Sequence, residues 1–202
     1  MGQRKIKMTE VKLNRPFWEK RYLENDIGWD IGYPNPIFID YANANIPKDK
    51  KILVPGAGSG YEVSALWEMG YSNIYAIDLS DKAKERFLRN TPNFPEEQYL
   101  TGDFFELQNT FDFVLEQTFF CAINPTSRQQ YVKHLTSILN TNGRLFGVLF
   151  SKKFEGGPPF GGSMTEYQSL FQATFEILQL EKNANSIAPR QGKELIIELM
   201  KK

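Results

Sequence analysis

The stretch Val54-Pro55-Gly56-Ala57-Gly58-Ser59-Gly60 constrains this chain more than any other, because it sets glycines between an apolar run and a helical pattern. Glycine adopts positive φ without penalty and lets the backbone approach a ligand closely. Before the loop, Lys51–Val54 reads as a buried strand stopped by Pro55-Gly56. After it, Tyr61–Met69 reads as a helix, with Val63, Leu66 and Trp67 on one face and Gly70 closing it. The next apolar run, Asn73–Ile77, is a second strand. Asp78 at its end stands 22 positions after Gly56. An acid at that place can accept hydrogen bonds from two ribose hydroxyls. The competing reading is a plain strand-turn-helix link with a solvated aspartate.

The rest of the chain continues the alternation of strand and helix that marks an α/β domain. Ser80 is placed to cap a helix that has Asp81 in its first turn. Gln98–Thr101 and Phe111–Leu115 read as strands three and four. Thr126 and Gln129 fit a capping box after Pro125, opening a helix with Val132, Leu135, Ile138 and Leu139 that stops at Gly143. Arg144–Phe150 is a fifth strand. Residues 152–163 carry Gly156, Gly157, Pro158, Pro159, Gly161 and Gly162 and read as a loop. Phe175–Leu180 and Glu194–Met200 have no convincing helix between them, so an antiparallel hairpin at the sheet edge is the simpler arrangement. Ahead of the first strand, Phe17–Glu24 and Ile37–Ala44 look helical, and Asp26–Pro36 is a turn-rich loop.

Composition removes several chemistries. The chain has 202 residues, which suits one domain over 1–202. Lysine plus arginine and aspartate plus glutamate number 24 each, so there is no electrostatic footprint for nucleic acid or an anionic membrane. No run of about 18 apolar residues offers a membrane span, and the start Met-Gly-Gln-Arg-Lys lacks the apolar stretch of a signal peptide. One cysteine, Cys121, cannot form an internal disulfide, which points to a cytoplasmic setting. Cys121 reads as a small buried hydrophobe. With one histidine, His134, and one cysteine, a structural zinc site lacks ligands, and no metal is expected. His134 lies in the helical stretch Tyr131–Leu139 and reads as an ordinary helix residue.

The loop also narrows the nucleotide. A dinucleotide fingerprint wants a small residue at its sixth place, which here is Tyr61, and no Gly-x-x-x-x-Gly-Lys-Ser/Thr cradle exists. Glycine-x-glycine-x-glycine with a downstream acid suits a ligand with ribose and no pyrophosphate, and S-adenosylmethionine leads the candidates. Trp18 and Tyr22 are four apart and share a helix face, where rings attract a sulfonium cation or simply pack the helix down.

At this point the sequence resembles the thiopurine S-methyltransferase family, and most closely its plant-type thiol and halide methyltransferase branch. The resemblance is carried by Trp18-Glu19-Lys20 with Trp29-Asp30, the loop from Leu53 to Gly60, and Asp78-Leu79-Ser80. It continues through Phe119-Phe120-Cys121-Ala122-Ile123, Gly157-Pro158-Pro159-Phe160 and Arg190-Gln191-Gly192-Lys193-Glu194. It implies a Rossmann-like class I methyltransferase fold, with a mostly parallel seven-stranded sheet, an antiparallel edge hairpin and an N-terminal helical lid over residues 10–45. It also implies S-adenosyl-L-methionine as cofactor, S-adenosyl-L-homocysteine as product, and a small-molecule acceptor.

Residue by residue, the resemblance assigns cofactor binding to Trp18, Tyr22, Trp29, Gly56, Gly58, Asp78, Leu79, Asp103, Phe104, Glu116 and Gln117. The aromatic residues would close over the cofactor, Asp78 would hold the ribose, Asp103-Phe104 would flank the adenine, and Glu116 with Gln117 would lie near the methionine end. Trp29, Phe119, Phe120 and Phe160 would wall the acceptor pocket. Tyr22 stands where the plant branch has tryptophan, and Gln117 where the two branches have tyrosine or arginine. No catalytic residue is assigned; Glu116, Asp30 or Tyr33 could act as a base if one is needed. The expected activity is methyl transfer to a thiol, hydrosulfide, halide or thiopurine-like acceptor. The alternatives are a methyltransferase for oxygen or nitrogen acceptors, and a non-catalytic S-adenosylmethionine-binding protein.

Overall fold

The computed structural model describes residues 12–202. The start of the chain and residues 10–11 of the expected lid lie outside the described residues. Seven strands form one sheet: β1 (Ile52–Pro55), β2 (Ile74–Asp78), β3 (Tyr99–Thr101), β4 (Phe111–Gln117), β5 (Leu139–Phe150), β6 (Phe175–Lys182) and β7 (Glu194–Lys201). Their order is β3-β2-β1-β4-β5-β7-β6. The first five run parallel, and β7 is antiparallel to both β5 and β6. Parallel neighbours need long crossovers, which the helices provide, and the late hairpin needs none.

Strand side chains alternate between two apolar layers. Ile52, Val54, Ile74 and Ala76 face one layer, where α2 (Pro36–Asn45), α3 (Tyr61–Glu68) and α4 (Asp81–Asn90) pack through Phe38, Leu66 and Phe87. Leu53, Ile77 and Val114 face the other, filled by α5 (Arg128–Ile138) and α6 (Met164–Phe171) through Tyr131, Leu135, Tyr167 and Phe171. A sheet covered on both faces exposes the carboxyl ends of its parallel strands at one rim, where such folds bind ligands.

Four local expectations are corrected. The segment before β1 divides: α1 (Arg15–Leu23) lies over the sheet rim, but α2 is core, with Phe38 and Ala42 fully buried, because its aromatic face stacks Tyr41 on Phe146 at 3.7 Å. The covering segment is therefore shorter than residues 10–45. The cap ahead of α5 is Asn124, not Thr126. Its side chain accepts from the Thr126 amide, and a 3-10 turn over Pro125–Ser127 precedes the helix. That helix ends at Ile138 rather than Gly143, since Leu139 already pairs with Phe111 and the register then jumps to Arg144 opposite Phe113. The unforeseen α6 starts at Ser163, whose hydroxyl accepts from the Glu166 amide. Ser163-x-x-Glu166 is a capping pair that follows directly on the Gly-Pro loop.

Candidate active site

A cavity of about 800 Å³ opens where β1 to β5 end, lined in turn by Gly56, Asp78, Asp103, Thr118 and Phe150. Gly56 has φ +58°, and a Cβ there would stand 2.6 Å from the Phe119 ring. The bare backbone thus keeps open a space that any side chain would fill. Asp78 closes β2, and its carboxylate accepts from the Gly58 amide at 3.0 Å and the Ser80 amide at 2.9 Å. Burial, only partly offset by those amides, raises its pKa to about 6. Leu79 and Phe104 complete this side, and Asp103 spends one oxygen on the Phe105 amide at 2.9 Å. Gly58 does not line the cavity; it lies under Tyr22, and its carbonyl accepts from Tyr99 at 2.8 Å.

The roof comes from α1 and the loop after it. Trp29 is shared between Trp18 and Tyr22 at ring distances of 5.4 and 5.8 Å, both edge-on, and the Arg21 guanidinium lies 4.9 Å from its centroid. Burial, and then the Asp78 carboxylate, push the Tyr22 phenol well above its ordinary value, so it stays a hydroxyl. This roof is tied down at several points. Glu19 accepts from the Asp81 amide at 2.5 Å, and Arg15 pairs with Asp81 at 3.0 Å. Ser59 donates to Asp30 at 2.5 Å, the Asn35 amide donates to Glu62 at 2.9 Å, and Arg190 donates to the Trp29 carbonyl at 3.0 Å. Asp30 is thereby committed to the glycine loop, and Tyr33 is exposed away from the cavity, so neither is placed as a base.

The opposite wall is the segment 118–124, in which Thr118 has φ +60°. Phe119 lines the cavity, whereas Phe120 turns into the core at 1% exposure. Phe160 does not line the cavity either. Its ring packs over Gly157 and its amide donates to the Cys121 carbonyl at 2.6 Å, and this brings Pro158 and Pro159 to the rim instead. Glu116 is fully enclosed behind the wall, and Gln117 lies outside the cavity with its side-chain oxygen buried. Neither lines the cavity. Cys121 lines the wall, donates to the Thr118 carbonyl at 3.1 Å, and is pushed up to about 12 by burial and then by Glu116. A thiol so placed is inert at neutral pH. His134 is half-buried on α5, 4.8 Å from Phe104, and does not line the cavity.

Of the expected residues, the cavity gathers Trp18, Tyr22, Trp29, Gly56, Asp78, Leu79, Asp103, Phe104 and Phe119. Sequence reasoning missed Arg21, Ile123, Phe150 and Arg190. Arg21 follows Trp18 by three and so shares its face, which was a readable signal. Arg190 meets Trp29 from 161 positions away, and no local pattern announces that contact. Among the described residues, no three His, Cys, Asp or Glu side chains gather to hold a metal, and no helix is long and apolar enough to cross a membrane.

Comparison with known proteins gives this geometry its relatives. Residues 13–202 match the family model described as thiopurine S-methyltransferase. A probable thiol methyltransferase 2 of Arabidopsis thaliana is 31% identical over 184 residues, covering 88% of this chain and 81% of that protein. A thiopurine S-methyltransferase of Acinetobacter baylyi is 25% identical, covering 89% and 94%. Among solved structures, the 1,6-didemethyltoxoflavin-N1-methyltransferase of Burkholderia thailandensis, holding S-adenosylhomocysteine, superposes with a TM-score of 0.74 at 18% identity. That match covers 93% of this chain and 86% of the other.

Proposed function

The chain belongs to the thiopurine S-methyltransferase family and is an S-adenosylmethionine-dependent methyltransferase; on that premise we propose that it methylates a small soft nucleophile, a thiol, hydrosulfide, halide or thiopurine-like acceptor. The observation that carries this reading is that, among the described residues, no histidine or uncommitted carboxylate lines the cavity. Among the described residues lining it, the carboxylates are Asp78 and Asp103, both on the strand-end side and both accepting backbone amides. Among the described residues no histidine or glutamate lines it, and Cys121 stays protonated. An acceptor that must lose a proton from oxygen or nitrogen during transfer lacks a partner here. A thiol with pKa near 8.5 is partly ionised on its own at neutral pH, and a halide needs no deprotonation.

The residues present fit the cofactor. The Asp78 carboxylate sits where two ribose hydroxyls can donate to it, and Gly56 leaves the backbone bare beside it. When bound, S-adenosylmethionine supplies a methyl group activated on a sulfonium. Trp18, Tyr22 and Trp29 present rings to that charge, worth about 0.5–2 kcal/mol for each well-placed ring. Phe119, Ile123, Phe150, Pro158 and Pro159 exclude water from the far side, which strips hydration from an attacking anion. Arg190 lines the same side, with its Nη2 on the Trp29 carbonyl and its Nη1 3.6 Å from the Glu194 carboxylate, so its charge is already paired. Positioning and dryness then do the work that a base does elsewhere. A cytoplasmic setting belongs to the same reading and rests on the single cysteine.

The test is transfer of labelled methyl to a panel holding hydrosulfide, a small thiol, iodide, thiocyanate and a thiopurine beside a phenol and an amine. Turnover is expected with the sulfur or halide members. Robust transfer to the phenol or amine, with none to the others, overturns the acceptor assignment and leaves the cofactor untouched.

A further inference from the structure

Glu116 is the most demanding side chain in the molecule that no step above uses. It stands one residue from the end of β4 with 1% exposure. Its Oε1 accepts from the Phe119 amide at 3.0 Å and the Phe120 amide at 2.8 Å, and its Oε2 accepts from the Tyr131 hydroxyl at 3.0 Å. The neighbouring strand makes room for it. Gly147 is its partner across β4 and β5, and a Cβ there would stand 2.6 Å from the Glu116 Cβ. An isolated carboxylate is costly to bury, and three donors on two oxygens are what offsets the cost.

Both amide donors belong to the wall segment that carries Phe119 into the cavity against Gly56. Tyr131 extends the linkage to the other side, because its ring stacks on Phe104 at 5.6 Å, and Phe104 meets Phe119 at 5.0 Å. We propose that Glu116 is a positioning residue: its ionised carboxylate clamps the 118–124 wall in the shape that admits the cofactor, without touching it, and protonation loosens the clamp.

The chemistry of the contacts supports both halves. Ionised, the carboxylate accepts all three donors. Protonated on Oε2, it must donate to Tyr131, whose own proton then loses its acceptor, and Oε1 holds the two amides without the help of charge. Burial pushes the pKa up to about 7, against the Phe120 amide, Tyr131 hydroxyl and Phe119 amide, which lower it. The ionisable groups around it are few. Tyr131 faces it from α5 and Cys121 from the wall, β5 presents only Gly147, and Arg128 and Arg190 act on Cys121. The exchange between the two states therefore falls in the neutral range.

The inference rests on the cofactor and not on the acceptor class, so S-adenosylhomocysteine binding tests it whatever the acceptor panel returns. Calorimetric Kd values from pH 5.5 to 8.5 should show affinity falling as pH drops through about 7, with a further fall near 6 from Asp78. In Glu116→Gln, which keeps an oxygen for the two amides, the step near 7 should vanish and the Asp78 step remain. In Tyr131→Phe, which removes a donor that lowers the Glu116 pKa, the step should move to higher pH. Glu116→Asp, one methylene too short to hold both amides, should weaken binding at least tenfold at every pH. Superimposable profiles for the wild type and Glu116→Gln overturn the proposal. If the variants do not fold, amide exchange of the wild type decides. Protection at Phe119 and Phe120 should drop about tenfold from pH 8 to 6, and constant protection overturns the clamp.

Discussion

Adding one methyl group to each of two glycines in the loop after β1 should separate ligand affinity from stability. Gly56 and Gly60 both sit in the left-handed region, with φ +58° and +65°. An alanine at either place therefore carries the same backbone cost, about 1–2 kcal/mol. What the new Cβ meets is different. At Gly56 it meets Phe119, whose ring borders the cavity and can swing into it. The folded protein escapes most of the clash, but the cofactor must push the ring back. An overpacking cost of about 1–3 kcal/mol then appears in binding, roughly a 5–150-fold loss of S-adenosylhomocysteine affinity. At Gly60 the Cβ lies 2.3 Å from the ring of Phe87, which is fully buried between Phe94 and Tyr99 at 4.9 and 5.0 Å. That ring has nowhere to go, so the overpacking adds to the backbone cost for a total of about 2–5 kcal/mol of stability. Affinity of the remaining folded protein should stay within about threefold, an order-of-magnitude allowance for a site not in contact. Urea unfolding and calorimetry at one temperature measure both quantities. If Gly60→Ala is the one that loses affinity, or Gly56→Ala the less stable of the two, the assignment of Phe119 to the cavity wall and Phe87 to the core is refuted.

Asp78→Ala removes the acceptor of the Gly58 and Ser80 amides and of the ribose, and calorimetry should find S-adenosylhomocysteine binding weaker by about 1–3 kcal/mol. Phe38→Ala should cost about 3–5 kcal/mol in urea unfolding, because α2 is core; a change under about 1 kcal/mol would return that helix to the lid. Glu116 and Asp78 both have raised pKa values, about 7 and about 6, so the folded chain holds their protons more tightly than the unfolded chain does. The stability this brings is full below the ordinary carboxylate values near 4 and is lost as pH rises through about 6 and 7. Urea midpoints should therefore fall from pH 5 to pH 8, and Glu116→Gln should flatten the upper part of that slope.

The glycine loop, Asp78 and all seven strands were legible because each is announced by residues within a few positions of itself. Trp18 and Tyr22 were legible for the same reason, since four residues make one helical turn. Phe119 and Phe120 were not separable. Which of two adjacent rings enters the cavity depends on a 3-10 turn held by a carboxylate on β4, and both look alike in the sequence. The resemblance alone sets Glu116 near the methionine end; its hydrogen bonds to the Phe119 and Phe120 amides and to Tyr131, fifteen positions away on α5, are announced by no local pattern. Phe160 misled in the opposite sense: the Pro-Pro pair ahead of it turns its ring onto Gly157 and offers the prolines to the cavity. The Ser163–Glu166 cap was readable and was overshadowed by the glycines and prolines beside it.

The strand order carries a consequence for how the sheet assembles. β7 follows β6 along the chain, yet it lies between β5 and β6. Until β7 has zipped onto β5 through the pairs from Arg144–Met200 to Phe150–Glu194, β6 has no edge of the sheet to join. The two strands are thus admitted together, and whatever dislodges β7 detaches β6 in the same event. The turn between them also carries Arg190, which holds the Trp29 carbonyl. Docking of this hairpin thus also brings Arg190 to the roof, and a chain that stalls before it leaves an unpaired strand edge exposed and the Trp29 carbonyl without that donor.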